Sequence, residues 1–450
     1  TAYACLCRML SEAGLRDEKS RAKVSWESLQ RWGGSLIALT GCLRGELPTA
    51  ILKGDLARAE KIVLCYREIF GDSLFLEIQN HGLKEEFIVE EALLRLGKKH
   101  GIAAVASQNV HYARPGDYLL RDVSTAIRHR VSLEEAGGLI PWSSKYHLRS
   151  PSEMEAIFRH RPGLLEQASL IADSVDFALD ALDFSIPEPW GQGRGDSFEL
   201  LEKLSWKGAL KRYGSLGRRV EKQIEHELYV IERLGLSSYF LLVRDIVEFA
   251  RSRGILVQGR GSAANSAICY SLGITSVDPL GMELLFERFL SLERPEPPDI
   301  DIDIEHHRRE EVIQYVYERY GRDHAALVAN VISYHMRSAL GELAKVFSYP
   351  PERVRRVSKH VHDDLSDEEL LQEFSKIGLD TKSPRFSTML RLARAMVGMP
   401  RHLGIHPGGM VICSSPLSEM TSLERARMDG RSIIPWDKDD AADIGLIKMD

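Results

Sequence analysis

The segment PDIDIDI at residues 298–304 constrains the fold more than any other part of the chain. Side chains alternate faces along a β-strand, so Asp299, Asp301 and Asp303 are predicted to share one face while isoleucines are buried on the other. Three carboxylates at this spacing repel one another unless water or a cation separates them. A pair of Mg²⁺ ions is a natural partner, because Mg²⁺ prefers carboxylate oxygens, water and phosphate. The alternative is a half-exposed edge strand whose charges discourage further pairing.

A glycine-rich segment, QGRGSAANS at residues 258–266, follows a predicted strand at 254–258 and precedes a predicted helix. Glycines allow backbone N–H groups to approach a phosphate, and a helix N-terminus favours anions. Arg260 adds positive charge, and Ser262 adds a hydroxyl group. The pattern matches neither G-x-x-x-x-G-K-[ST] nor G-x-G-x-x-G. The alternative is an ordinary strand-to-helix turn with Ser262 as the N-cap.

The last residues, IGLIKMD at 444–450, also alternate, which places Lys448 and Asp450 on one face of a predicted strand. In a functional interpretation, Asp450 is a third metal ligand or a general base, and Lys448 neutralises phosphate charge. In a structural interpretation, the two residues form a buried ion pair.

Composition excludes several classes of protein. The chain has 450 residues, of which 44% are hydrophobic and 28% charged, with a net charge of -6, as in a globular protein of two to four domains. No apolar stretch reaches the length of a membrane span. None of the six cysteines forms a C-x-x-C pair, so we expect reduced thiols in a cytoplasmic protein. The missing initiator methionine suggests a piece of a longer chain.

The order of elements predicts an α/β chain. Helices and strands alternate in the first part and indicate an α/β layer or barrel, with helices at 55–70 and 84–100 and strands at 73–79 and 102–107. Residues 180–197 are rich in Pro, Gly and Asp and form the best linker candidate. A mostly helical block at 334–400 is predicted to interrupt a sheet, which resumes with strands at 409–413, 432–435 and 444–450.

In combination, these motifs resemble the palm of C-family DNA polymerases, the type of the bacterial polymerase III α subunit. The family carries a G-R-G-S turn, an F-E-R-F-L segment, a P-D-x-D-x-D strand and a later K-x-D in this order, here at 259–262, 286–290, 298–303 and 448–450. The resemblance implies part of a PHP (polymerase and histidinol phosphatase) α/β barrel, followed by a palm similar to that of β-like nucleotidyltransferases, with an inserted helical thumb. The implied domains are PHP at 1–175, palm at 176–330 and 401–450, and thumb at 331–400.

The resemblance implies a DNA-directed DNA polymerase, which transfers a nucleotide from a dNTP to a primer 3′-hydroxyl with two Mg²⁺ ions. The implied catalytic and metal-binding residues are Asp299, Asp301 and Asp450, and whether Asp303 is a further ligand stays open. The implied nucleotide-binding residues are Arg260, Gly261, Ser262, Arg288 and Lys448.

Two segments are closer to the error-prone branch of this family than to its replicases. The turn reads QGRGSAANS, whereas replicases resemble PGRGSGAGS, and PRHLGIHPGG at 400–409 is also similar to the error-prone branch. This branch implies synthesis in damage tolerance on primer–template DNA. It also implies a sliding clamp and accessory proteins as partners, bound through regions outside this sequence, and no membrane.

The N-terminal part resembles the later motifs of a PHP domain, at 40–47, 76–82 and 105–112. Possible metal ligands are Cys42, Glu77, His81 and His111. The family's early histidine motif is absent, and Asn109 stands where the family has an aspartate. Because an amide is a weaker cation ligand, we expect a structural PHP domain or an altered metal site, without phosphodiesterase or proofreading activity.

Basic residues cluster in the predicted thumb, and contacts from such residues to phosphates give sequence-independent DNA binding. The alternative is an ordinary solvated helix face. The candidates are Arg353, Arg355, Arg356, Lys359, Lys382, Arg385, Arg391 and Arg394.

Two other functions stay open. A metal-dependent phosphoesterase centred on the N-terminal part requires a complete ligand set there. A non-catalytic DNA-binding module predicts that the acidic strand can be neutralised without loss of function. Because the family's fingers lie beyond residue 450, we expect these 450 residues alone to be a weak or inactive polymerase.

Overall fold

The structure is a computed structural model that describes residues 1–17, 21–141, 143–179, 182, 185–187, 194–293, 298 and 300–449. Asp299, Asp450 and most of the predicted linker at 180–197 lie outside the described residues. The described residues form a mixed α/β structure, as predicted. None of their helices is long and apolar enough to cross a membrane.

Helices account for most of the regular structure. In chain order they are α1 (Ala2–Arg16), α2 (Trp26–Trp32), α3 (Glu46–Leu52), α4 (Leu56–Phe70), α5 (Lys84–His100), α6 (Tyr118–His129), α7 (Pro151–Phe158), α8 (Gly163–Asp173), α9 (Arg194–Tyr213), α10 (Arg218–Arg233), α11 (Ser237–Ser252), α12 (Ala267–Ser271), α13 (Arg309–Tyr320), α14 (Met336–Val346), α15 (Pro351–Ser358), α16 (Asp367–Lys376), α17 (Pro384–Met396) and α18 (Lys438–Asp443). Local sequence sets several ends: Ser366 and Glu369 form a capping box at α16, and Gly101 ends α5 in the left-handed conformation.

The described strands form three sheets. They are β1 (Ala38–Leu39), β2 (Leu74–Ile78), β3 (Ala104–Ala106), β4 (Val257–Arg260), β5 (Asp301–Ile304), β6 (Ala325–Ser333), β7 (Pro400–Ile412), β8 (Glu424–Arg425), β9 (Ser432–Ile433) and β10 (Lys448–Met449). A parallel sheet has the order β1-β2-β3, a larger sheet has the order β10-β7-β6-β9-β8, and β4 pairs with β5 alone. Helices α14–α17 lie in the chain between β6 and β7, which are neighbours in the larger sheet.

The described residues divide into two compact units, each built from separate parts of the chain. The first unit comprises 1–32, 177–330 and 404–450, and the second comprises 33–176 and 331–403. The core of the first unit packs α9–α13 against β4, β5 and one face of the larger sheet, with Tyr239, Phe240 and Phe286 fully buried. In the second unit, α14, α16 and α17 bury an apolar cluster together with α6.

Most predicted elements are confirmed within two residues, including α4, α5 and β2. Three differ. Strand β4 lies at 257–260 rather than 254–258, so Gly259 and Arg260 belong to the strand. Strand β7 begins at Pro400 rather than 409, although its glycines and prolines are typical of turns. Helix α9 begins at Arg194, inside the predicted linker.

Candidate active site

The paired strands β4 and β5 place acidic and basic side chains opposite each other. They run antiparallel, with Arg260 opposite Asp301 and Gln258 opposite Asp303. The Arg260 guanidinium lies 3.4 Å from Oδ2 of Asp301, and its Nε donates to Oδ1 of Asp303 at 3.0 Å. Because one arginine reaches both carboxylates, the prediction that Asp301 and Asp303 share a face is confirmed.

The alternate residues of this segment point into the protein. Ile300 is fully buried, and Ile302 and Ile304 pack against the core of the first unit. The two aspartates differ in exposure, since the Asp301 side chain is 25% exposed and that of Asp303 is 66% exposed. Solvent screens the Arg260–Asp303 pair, which we therefore expect to contribute less than about 1 kcal/mol to stability.

A cavity of about 440 Å³ opens beside these carboxylates. This size falls within the roughly 300–1,000 Å³ typical of ligand sites. Its apolar wall comes from α11, α13, β7 and β10. Its charged and polar lining includes Arg260, Asp301, Asp303, Arg309 and His406. The cavity therefore combines carboxylate ligands with cations that could neutralise phosphate.

The glycine-rich turn begins next to Asp301. Residues Gly261–Asn265 form a 3₁₀ turn, and Gly261 has a φ of +64°, in the left-handed region that favours glycine. An ideal Cβ on Gly261 would lie 3.4 Å from Oδ2 of Asp301, which is van der Waals contact, so the turn lies directly beside the carboxylate. Ser262 lies within this turn. The N-cap of α12 is instead Ser266, so the alternative interpretation of Ser262 as a helix cap is wrong.

The other predicted palm residues occupy less central positions. Arg288 is exposed in a 3₁₀ turn, Phe286–Arg288, which contacts the Gly261–Asn265 turn. Lys448 precedes Met449 on β10, and Met449 lines the cavity. Asp299 and Asp450 lie outside the described residues.

Three residues near this site were not among the predicted site residues, although His406 and His402 had been weighed as a metal pair from their spacing and not favoured. Arg309 lines the cavity from the start of α13, and its place shortly after the acidic strand was the only signal. His406 also lines the cavity, and its Nδ1 accepts hydrogen bonds from the backbone of Gly408 and Gly409 at 3.3 and 2.6 Å. Glu227 is buried on α10, where nothing in the local sequence distinguishes it from neighbouring glutamates.

The possible PHP ligands have protein partners. The Glu77 carboxylate accepts hydrogen bonds from the Gly41 backbone and the Gln79 side chain, both at 2.8 Å, and from the Ser107 hydroxyl. His81 is buried, with Nδ1 2.6 Å from Glu86 and Nε2 2.7 Å from the carbonyl of residue 108.

His111 and His81 meet the same aromatic ring. Tyr146 stacks on His81 at 3.9 Å between ring centroids and contacts His111 edge-on at 5.2 Å. Burial, aided by nearby Arg121, His81 and Arg44, lowers the pKa of His111. Cys42 lines a small cavity beside Glu77. Across the described part of the chain, no three His, Cys, Asp or Glu side chains are gathered as a metal site.

Comparison with known families assigns the glycine-rich and acidic motifs to one family and the N-terminal motifs to another. A model for the bacterial DNA polymerase III alpha NTPase domain matches residues 199–450, and a PHP domain model matches residues 1–81. The chain belongs to the DNA polymerase III alpha family. The cavity residues fall inside the first match; Cys42, Glu77 and His81 fall inside the second, and His111 lies beyond it.

The chain is also similar to curated proteins that are named error-prone DNA polymerases. An error-prone DNA polymerase of Nocardia farcinica is 43% identical over 93% of this chain and 36% of its own length. Those of Pseudomonas syringae pv. tomato and Mycobacterium tuberculosis are each 40% identical over the whole chain, and the matched regions cover 43% and 40% of the two relatives' lengths. The chain thus spans about two fifths of the length of these curated relatives.

Apart from Arg355, the predicted DNA-binding residues in this family member fall into two groups. Arg385 pairs with Glu134 at 3.0 Å, and Arg394 pairs with Asp367 at 2.9 Å while donating to backbone carbonyls of residues 363 and 365. The second group is exposed and has no ion pair to another described residue; it comprises Arg353, Arg356, Lys359, Lys382 and Arg391.

Arg355 belongs to a basic cavity within the second unit. It pairs with Glu352 at 3.5 Å and lines a cavity of about 510 Å³. The ionisable side chains around this cavity are His335, Arg337, Glu342, Lys345, Arg355 and Arg401. Glu342 forms ion pairs with Lys345 and Arg401, each at 3.0 Å. It is the one carboxylate among these lining residues, so the cationic groups outnumber it.

Proposed function

We propose that the cavity between β5, α13 and β7 is the nucleotidyl-transfer site of a DNA-directed DNA polymerase that performs error-prone synthesis in damage tolerance. The observation that carries this proposal is the convergence of Asp301, Asp303 and Arg260 beside the Gly261 turn. Membership of the polymerase III alpha family supports it. The chemistry also agrees, because nucleotidyl transfer depends on positioning and charge neutralisation more than on covalent chemistry.

The donor set suits divalent cations. Asp301 and Asp303 supply hard oxygen ligands, and both line the cavity. We assign Asp299 and Asp301 as the principal ligands of two Mg²⁺ ions, with Asp450 as the third carboxylate. When bound there, Mg²⁺ would lower the pKa of the primer 3′-hydroxyl and offset charge on the leaving pyrophosphate.

The chain's own groups would hold the triphosphate. Backbone N–H groups of Gly261 and Ser262 offer donors, and Arg260 would exchange its carboxylate partners for phosphate oxygens. Arg288 and Lys448 would supply further positive charge. Arg309 already lines the cavity and is a stronger candidate than the sequence indicated.

We assign residues 1–175 to a PHP domain, 176–330 and 401–450 to the palm, and 331–400 to the thumb. Basic residues of α15 and its cavity would contact the phosphates of primer–template DNA without reading sequence. A sliding clamp and damage-tolerance proteins are the expected partners, bound through other parts of the longer polymerase.

The proposal is tested by Mg²⁺-dependent primer extension with the full polymerase chain that contains these residues. We expect Asp301→Asn to slow extension by roughly a thousandfold, because a charge-stabilising group of the transition state is lost. DNA affinity should be unchanged. Asp429→Asn, an exposed aspartate of the same unit, is the matched control and should extend primers like the wild type.

Two results would contradict the proposal. Equal extension by wild type and Asp301→Asn would remove Asp301 from the metal site and favour Asp303 in its place. A wild type that binds DNA but does not extend primers would favour a non-catalytic DNA-binding module.

A further inference from the structure

A buried carboxylate outside the cavity has all its acceptor positions filled. Glu227 on α10 is fully buried in the first unit. Its Oε1 accepts hydrogen bonds from the Ala267 backbone at 2.8 Å and the Gln223 side chain at 2.9 Å. Its Oε2 accepts from the Ser266 hydroxyl at 2.7 Å and the Ile268 backbone at 3.0 Å. Burial raises the pKa of this carboxyl, and the four donors oppose that shift.

Three of these four donors belong to the beginning of α12. Ser266 is the N-cap, and its oxygen also accepts from the Cys269 backbone at 3.0 Å. Glu227 and Ser266 together satisfy the first N–H groups of the helix, which have no partner within it. A carboxylate also suits the positive end of the helix dipole. The start of α12 is therefore fixed by a side chain from another helix.

This arrangement limits where a triphosphate can bind. Because Ala267 and Ile268 donate to Glu227, their N–H groups are not available to a phosphate. The backbone that would face the nucleotide is therefore that of the preceding Gly261–Asn265 turn. That turn is tied to the helix start, since the Ser266 backbone donates to the carbonyl of Ala263 at 3.3 Å.

Close packing also holds the far end of α12 against α9. At Gly208 on α9, an ideal Cβ would lie 2.0 Å from the carbonyl oxygen of Ser271, so α9 and α12 pack with no side chain between them. The turn itself contacts β5, which carries Asp301. A shift of α12 would therefore move the triphosphate donors relative to the carboxylates.

We propose that Glu227 is a positioning residue for the incoming nucleotide, which holds the Gly261–Asn265 turn at the correct distance from Asp301 by fixing the start of α12. This inference rests on the proposed function of the cavity. Glu227 does not touch the substrate, so its effect is expected in nucleotide binding rather than in DNA binding.

The test is Glu227→Gln in the full polymerase chain. An amide cannot accept from all four donors, so at least one N–H group of Ala267 or Ile268 loses its acceptor whichever way the amide turns. We expect the KM for dNTP to rise about tenfold, with kcat changed less than about threefold and DNA affinity unchanged. Glu225→Gln, an exposed change on the same helix, should match the wild type.

A purely structural role gives a different result. Loss of folded enzyme lowers kcat in proportion to the inactive fraction and leaves KM unchanged. An unchanged KM in Glu227→Gln would therefore overturn the inference. If that variant does not fold, Ser266→Ala provides the test of the inference, because it keeps the Glu227 carboxylate but removes one of its donors and the N-cap oxygen of α12. We expect a smaller rise in KM there, about threefold, and an unchanged KM would again overturn the inference.

A second measurement isolates the route through the turn. Dissociation constants of dNTP for the complex with a dideoxy-terminated primer–template are compared for Glu227→Gln, Ser262→Ala and the double variant. Effects that act through the same turn should combine less than additively, and additive effects would contradict the proposed route. If the wild type does not extend primers, the proposed function fails and the inference with it. If the wild type extends them and KM is unaffected in the variants, the inference fails alone.

Discussion

The acidic cavity was predicted to hold metal, whereas the surroundings of His81 were predicted to be structural or an altered metal site, and the candidate ligand atoms of the two regions differ in their availability. Asp301 and Asp303 have an exposed arginine as partner and line a cavity. Both ring nitrogens of His81 face buried protein partners, and the Glu86 oxygens are held by the ring and by backbone N–H groups of His81 and Leu83. The difference teaches that residue type and motif identify a candidate metal ligand. Whether that side chain can bind a metal depends on whether its ligand atoms are already held by protein groups.

The free energies of the two arrangements explain this contrast. A cation that replaces Arg260 exchanges one exposed, screened ion pair for another ionic contact. A cation at His81 would have to break hydrogen bonds that have no access to water, and each buried group left unpaired costs about 1–3 kcal/mol. The first exchange is therefore easy, and the second is unfavourable unless the whole segment rearranges.

The largest expected effect that tests this contrast is on stability. Glu86→Ala removes the acceptor of the His81 ring and of two backbone N–H groups. We expect the free energy of unfolding of the second unit to fall by about 3 kcal/mol, because a buried polar pair has lost one partner. Urea denaturation, with hydrogen exchange to locate the unfolding segment, measures this loss.

Two further results make this prediction decisive. Glu85→Ala, the neighbouring glutamate on α5, should change stability by less than about 0.5 kcal/mol. Primer extension per folded molecule should be the same in Glu86→Ala as in the wild type. A loss of extension beyond the loss of folded protein would contradict the structural interpretation of this segment.

Two arginines of α17 also differ in whether their side-chain atoms are already engaged by protein groups. Arg394 donates to Asp367 and to backbone carbonyls, whereas Arg391 is exposed and makes no ion pair with any described residue. Arg394→Ala should lower the free energy of unfolding by about 1–2 kcal/mol. Arg391→Ala should leave stability unchanged and weaken DNA binding, with the slope of log affinity against log salt reduced by about 1.

Binding isotherms at several salt concentrations, together with urea denaturation of both variants, check this pair. Interchanged effects would contradict the criterion. If Arg394→Ala weakened DNA binding with no loss of stability, contacts in the folded chain would be a poor guide to which basic residues reach phosphate.

The sequence was sufficient to predict the acidic face of the candidate site, but not the residues that support it. Alternation along β5 was sufficient to place Asp301 and Asp303 on one face, because a strand repeats every two residues whatever its surroundings. The contact with Arg260 required the register of β4, and that strand was placed three residues too early. The α/β class followed from the order of elements, which depends on local periodicity.

Residues that act over long distances in sequence carried no local signal. Glu227 lies 39 residues before the serine it binds, and its role depends on the packing of α10 against α12. His406 lies in β7, a strand whose glycines and prolines predict a turn, and sheet pairing overrides that tendency. In each case tertiary contacts assign the role, and no periodicity in one segment can reveal them.

The smallest expected effect concerns His111, whose pKa is lowered by burial and by nearby cations. The unfolded chain then binds a proton at a higher pH than the folded chain. This histidine therefore costs no stability above its ordinary pKa of 6.5, and stability falls as the pH drops through that value towards the folded pKa. In His111→Gln we expect a shallower loss of stability between about pH 7 and about pH 5. Exposed His129→Gln is the control, and urea midpoints across this range provide the measurement.

A lowered pKa also keeps an imidazole neutral near pH 7, which a metal ligand requires, so the pH profile alone does not separate the two interpretations. Added Mn²⁺ does separate them. Because the Glu77 and His81 ligand atoms are engaged by protein groups, Mn²⁺ should change the melting temperature of the wild type and His111→Gln equally. A Mn²⁺-dependent rise in the wild type that His111→Gln abolishes would show that these atoms can be released. The two regions would then differ in the energy needed to expose their ligands, and no longer in the ability to bind metal.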